Sequence, residues 1–118
     1  MARIRHIALL TQDPPKLAQF YQASFGMKEV ARSGEKSDAI YLSDGYINLA
    51  ILPARGRPEG IFHFGFEVAN AKVAMQVALE AGATKGTDKL PKDGRFAEGF
   101  VRDPVGTRVD LSEQGWKV

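Results

Sequence analysis

One supersecondary pattern, written twice, constrains this chain more than any other feature. Ile4 to Leu10 alternates as a strand does, with Arg5, Ile7 and Leu9 on one face and Ile4, His6, Ala8 and Leu10 on the other. Asp13 is a helix cap, Pro14 and Pro15 suit a first helical turn, and Leu17, Phe20, Tyr21 and Ser24 recur at helical spacing. Gly26 supplies the left-handed end, so the helix stops near Phe25. Met27 to Ala31, Ala39 to Ser43 and Tyr46 to Leu52 follow as strands, separated by the polar run Arg32 to Asp38 and by the tight turn Asp44-Gly45. Pro53 to Gly60, rich in Pro, Gly and Arg, reads as a connector.

From Ile61 the order begins again. Phe62, Phe64, Phe66 and Val68 alternate with His63, Gly65 and Glu67, and Asn70 caps a helix that carries Val73, Val77 and Ala81 and ends at Gly82. A short strand over Ala83 to Gly86, a polar basic loop from Thr87 to Arg95, and a strand from Phe96 to Arg102 come next. Asp103-Pro104-Val105-Gly106 turns the chain into Thr107 to Ser112. Periodicity of this size marks one unit used twice. The spacing predicts two βαβββ units, residues 4–52 and 61–112 with a connector over 53–60, in a single α+β domain of residues 1–118.

The repeat puts four polar residues at matching places. His6 and His63 fall in the first strand of each unit and Asn48 and Asp110 in the last, with Asp110 in the place Asn48 holds, all on faces opposite the helix-packing aliphatics. Two imidazoles, an amide and a carboxylate then converge on one concave surface. Beside His63 there is no bulk, only Gly65. Such a histidine is a metal ligand, a general base or a satisfied core residue, and strand pattern alone leaves all three open. Glu67 shares the face of His63, but at about 3.3 Å per residue it lies about 13 Å away, too far to share a metal. It is either a pocket base or a solvated carboxylate. Arg102 is either the contact for an anionic substrate or a surface charge, and Tyr41 and Phe100 are either pocket lining or core. By alternation Glu113 faces away from Asp110.

Composition narrows the chemistry. Sixteen Lys and Arg against fourteen Asp and Glu, scattered along the chain, give no dense basic run to suggest nucleic acid. There is no cysteine, so a metal site would use imidazole, carboxylate and amide groups. The apolar start of MARIRHIALL is too short for a signal peptide, and no segment reaches membrane-spanning length, so the expectation is a soluble cytoplasmic protein. Walker, dinucleotide-binding, nucleophile-elbow and His-Glu-x-x-His motifs do not occur.

Three stretches, HIALLTQDPPKLAQFY at His6, HFGFEVAN at His63 and DPVGTRVDL at Asp110, carry a resemblance over nearly the whole chain. The sequence resembles the vicinal oxygen chelate superfamily, which includes glyoxalase I, extradiol dioxygenases, methylmalonyl-CoA epimerase and the fosfomycin- and bleomycin-resistance proteins. The resemblance implies curved mixed sheets around a cavity with helices outside, and a homodimer. It also implies a divalent metal, one of Fe, Mn, Ni or Zn, on His6, His63 and Asp110, with Asn48 at the fourth position. An aspartate stands where many relatives have glutamate. Asn48 stands where glyoxalase I has a metal-binding base, and an amide cannot take a proton. The implied function is metal-dependent chemistry on a small substrate that chelates through neighbouring oxygens, as an oxygenase or as an isomerase or lyase, with Glu67 and Arg102 as substrate-side groups. The alternative is a metal-free small-molecule binder of the bleomycin-resistance type.

Overall fold

A computed structural model of the chain describes residues 2–34, 38–86, 97–116 and 118. In order it runs β1 (Arg3–Thr11), α1 (Pro14–Phe25), β2 (Lys28–Ser33), β3 (Ala39–Ser43), β4 (Asn48–Pro53), β5 (Gly60–Glu67), α2 (Ala71–Glu80), β6 (Thr84–Lys85), β7 (Gly99–Arg102) and β8 (Arg108–Ser112). This is the α+β fold expected, with a βαβββ succession in each half. The basic loop expected from Thr87 to Arg95 lies outside the described residues, as does Phe96 at the start of its strand.

By contacts the chain divides into two compact units, one of His6–Phe62 with Lys117–Val118, the other of Met1–Arg5 with His63–Trp116. In the first, the strand order is β2-β3-β4-β1. β1 runs parallel to β4, and the β2–β3 and β3–β4 pairs are antiparallel, with a register shift in β2 between Glu29 and Ala31. Asp13 caps α1 by accepting from Lys16 N at 3.2 Å, and Gly26 ends it at φ 69°. The helix buries Pro14 and Ala18 and turns Leu17 and Tyr21 onto Leu9, Ile40, Leu42, Leu49 and Ile51. Phe20, expected on the packing face, is instead 53% exposed. The turn between β3 and β4 is also longer than Asp44-Gly45. The Asp44 carboxylate accepts from Tyr46 N at 2.9 Å and Ile47 N at 2.8 Å, holding both residues out of the strand.

In the second unit the order is β5-β8-β7-β6. β5 runs parallel to β8, and β7 is antiparallel to β8 and to β6. Asn70 caps α2 by accepting from Val73 N at 3.0 Å, and the Glu113 carboxylate accepts from Ala71 N at 2.9 Å at the same end. The core here is smaller: Val68, Ala71 and Leu111, packed by Phe66, Ala74 and Met75. Val73 and Val77, which the helical pattern offered as the buried stripe, are 59% and 60% exposed. The small residues of α2 face inward, because alanines let the helix lie close on the sheet.

The tail that follows β8 completes this unit. Gly115 takes φ 68°, and Ser112 Oγ donates to its carbonyl at 3.4 Å. This bend carries Trp116 over Gly65, where a Cβ would stand 2.7 Å from the indole Cζ2. A Cβ on Gly115 would in turn meet Glu67 Oε1 at 2.5 Å. The two glycines make room for one feature, the return of the tail across β5. Among the described residues no helix is long and apolar enough to cross a membrane.

Candidate metal centre

In the first compact unit, β1 and β4 bring one pair of candidates together. His6 and Asn48 are direct partners in the parallel register, and His6 Nδ1 lies 3.2 Å from Asn48 Oδ1. Both are buried. An amide oxygen only accepts, so Nδ1 carries the proton and Nε2 becomes the lone-pair nitrogen. Ile7 and Leu9, on the opposite face, belong to the α1 core, so the helix packing is what turns His6 away from it.

In the second unit, β5 and β8 bring together His63 and Asp110. His63 Nε2 lies 3.2 Å from Asp110 Oδ2, with both side chains nearly inaccessible. The other carboxylate oxygen, Oδ1, accepts from Arg108 Nε at 2.8 Å. Burial pushes the Asp110 carboxyl up, but the hydrogen bonds and charges of His63 and Arg108 together outweigh it and leave the group below its ordinary value. Asp110 is an anion at neutral pH.

The register corrects one expectation. Asp110 does not occupy the place that Asn48 holds. Asn48 pairs directly with His6, whereas Asp110 pairs with Gly65, two residues beyond His63. The caps Asp13 and Asn70 each follow their histidine by seven residues, so the histidines do correspond and only the last strands are offset. By register the counterpart of Asn48 is Arg108, one step before the Phe64 and Val109 pair.

Glu67 is held by Arg5, whose Nη1 donates to Glu67 Oε1 at 2.9 Å. Arg102 pairs across strands with Arg108, donates Nη1 to the Gly106 carbonyl at 3.3 Å, and stacks with its guanidinium 5.9 Å from the Phe100 ring centre. Two residues beside the candidates were not anticipated as part of a site. Arg108 shares a strand face with Asp110 at a two-residue step, a signal that alternation could have supplied. Trp116 fills the space above Gly65, and nothing in a strand pattern announces that a tail will return there. In the first unit a hollow beside α1, lined by Leu9, Leu17, Tyr21, Glu59 and Ile61, includes none of the candidates.

The glyoxalase-like domain family matches residues 6–112, a span that begins at the first candidate histidine and ends two residues past Asp110. The chain belongs to this family. Its membership places it in the vicinal oxygen chelate superfamily, and solved structures of similar fold agree. A hypothetical protein from Bacillus halodurans C-125 superposes with a TM-score of 0.74 at 18% identity, covering 99% of this chain and 97% of that one. Methylmalonyl-CoA epimerase from Mycobacterium tuberculosis gives 0.73 at 13% identity, covering 92% and 85%. A methylmalonyl-CoA epimerase in complex with methylmalonyl-CoA and NH4+ gives 0.68 at 19% identity, covering 100% and 99%. At these identities the likeness is one of fold. Curated proteins offer no sequence match.

Proposed function

We propose that this glyoxalase-like chain is a divalent-metal-dependent enzyme acting on a small substrate that offers two neighbouring oxygens, with His6, His63 and Asp110 as the ligands. One observation carries the reading. His63 Nε2 and Asp110 Oδ2 stand 3.2 Å apart, both side chains buried, and His6, the matching histidine of the other unit, is buried as well. Two imidazoles and an anionic carboxylate suit Fe, Mn, Ni or Zn, and a set of three leaves coordination positions for substrate. A bound cation would supply Lewis acidity to the substrate oxygens.

The chain's own groups have separable parts in this reading. Asn48, rather than ligating, fixes the His6 ring so that Nε2 is the donor nitrogen. At His63, Nε2, which lies 3.2 Å from Asp110 Oδ2, would be the nitrogen offered to a cation, with the ring proton then on Nδ1. Phe100, buried and the cross-strand partner of Asp110, helps keep water from it. Arg102 meets an anionic substrate, and Glu67, positioned by Arg5, accepts a proton. The epimerase likeness supports isomerase chemistry over oxygenation, as an analogy of fold. The working form in this reading is a cytoplasmic homodimer, in which pairing covers exposed Phe20, Phe25, Ile61, Val73 and Val77.

A second reading, the metal-free binder, has its own observation: both Asp110 oxygens already have protein partners. Elemental analysis after repletion decides between the two. Stoichiometric metal that disappears in His6→Ala, His63→Ala and Asp110→Ala supports the enzyme, and no metal in the wild type leaves the binder. Given metal, oxygen uptake with catechols, hemithioacetal isomerisation, and solvent deuterium exchange into methylmalonyl-CoA separate the reaction classes.

A further inference from the structure

We propose that Arg108 is a positioning residue for this centre, one that presents Asp110 through a single oxygen and lowers the donor strength of its carboxylate. The inference rests on the cation site proposed above. Arg108 lies two residues before Asp110 on the same face of β8, and its side chain is 16% exposed. Its Nε donates to Oδ1 at 2.8 Å while Oδ2 faces His63 Nε2 at 3.2 Å, so the two oxygens are assigned to different partners. A cation taking His63 Nε2 therefore meets Oδ2, and Oδ1 stays with the guanidinium.

Arg108 is itself held in place. Its guanidinium carbon stands 4.4 Å from the centre of the Phe100 ring, in cation–π contact. Phe100 is the cross-strand partner of Asp110, and its ring lies so close on Gly86 that no Cβ would fit there. Gly86, Phe100, Arg108, Asp110 and His63 thus form one supported series. An arginine suits this role where lysine would not, because a planar guanidinium can stack on a ring and still aim one N–H at one oxygen.

The sign of the effect follows from charge. Partners that accept a proton from a metal-ligating imidazole raise its basicity, and losing them weakens metal binding by about 10- to 100-fold. Arg108 does the opposite to Asp110: it donates to the ligand and sets a positive charge beside a site meant for a cation. Its removal takes a positive charge away from the site and is expected to strengthen cation binding.

The test uses Co2+ as probe on the full chain, with affinity read by competition against a chelating dye and ligation read from the visible absorption of the bound ion. Arg108→Gln, folded by circular dichroism, is expected to bind Co2+ more tightly than wild type with a changed visible band, as Oδ1 is released and the neighbouring positive charge is lost. Arg108→Lys keeps the charge but not the planar contact, and is expected to retain the affinity while changing the band. Gln-variant binding equal to or weaker than wild type overturns the inference alone, and so does a Lys variant matching wild type in its band. Should Arg108→Gln not fold, the Lys variant decides. A wild type that takes up no Co2+ overturns the cation site and this inference together.

Discussion

Gly65→Ala tests whether the C-terminal tail is part of the second unit's packing. The added Cβ would stand 2.7 Å from Trp116 Cζ2 and 3.2 Å from Cζ3, where ordinary contact begins near 3.4 Å. On the other side is the β5 backbone, so the indole has to give way. Overpacking of this kind costs about 1–3 kcal/mol. The upper bound is the loss of the indole contact altogether, about 3–5 kcal/mol for a buried tryptophan truncated to alanine. We expect about 2 kcal/mol for Gly65→Ala. The control lies in the sign. Glycine in a strand is disfavoured against alanine by about 0.5–1 kcal/mol, so in a Trp116→Ala background the same change should be neutral or stabilising. Urea unfolding followed by far-ultraviolet circular dichroism of the four proteins then gives a coupling of about 2–3 kcal/mol. Trp116 is the only tryptophan, so in Gly65→Ala its emission should also shift to the red. Equal costs in both backgrounds, or an unchanged emission maximum, would refute the packing argument.

Leu42→Ala, at 0% exposure in the core of the first unit, should cost about 2–5 kcal/mol in the same unfolding assay. Asn70→Ala should cost about 1 kcal/mol by removing the acceptor for Val73 N, and Asn70→Asp should restore most of it. The backbone N–H groups of Ile47 and Tyr46 hold the Asp44 carboxyl below its ordinary 3.8. Because the folded value is the lower one, the stabilisation is complete above about pH 4 and lost as pH falls through the folded value. Asp44 is exposed, so solvent screening keeps this below about 1 kcal/mol, and Asp44→Asn should flatten that part of the acid limb. Chelator treatment of metal-loaded protein should lower the melting temperature, and His63→Ala should abolish that difference.

The fold was legible because its signals are local. Asp13 and Asn70 as caps, Gly26 as a terminator and the alternation through β1, β4, β5 and β8 each act within a few residues, and each appears at or within two residues of its expected position. The errors came where a third dimension decides. Val73 and Val77 are apolar and helically spaced, yet the sheet beneath α2 accepts the alanine face, because Ala71 and Ala74 allow the closer approach. Hydropathy ranks the valines higher, and packing distance ranks them lower.

The candidate site was legible by residue type and misread by register. His6 and His63 correspond through their distances to the helix caps, but the last strands of the two halves are offset by two residues, a shift that preserves which face a side chain takes. Alternation could therefore place Asp110 on the right face without revealing that it sits opposite Gly65. That offset has a consequence for the chemistry. It puts Arg108 opposite His63 where the first half puts Asn48 opposite His6, so one histidine is oriented by a neutral amide and the other shares an anion with a guanidinium. A duplicated scaffold has become two unlike half-sites. Exchanging their characters, with Asn48→Asp adding a charge in the first half while its carboxylate still accepts from His6 Nδ1, should strengthen cation binding. If affinity instead falls, the neutrality of Asn48 is what the first half requires, since the acceptor for His6 is kept.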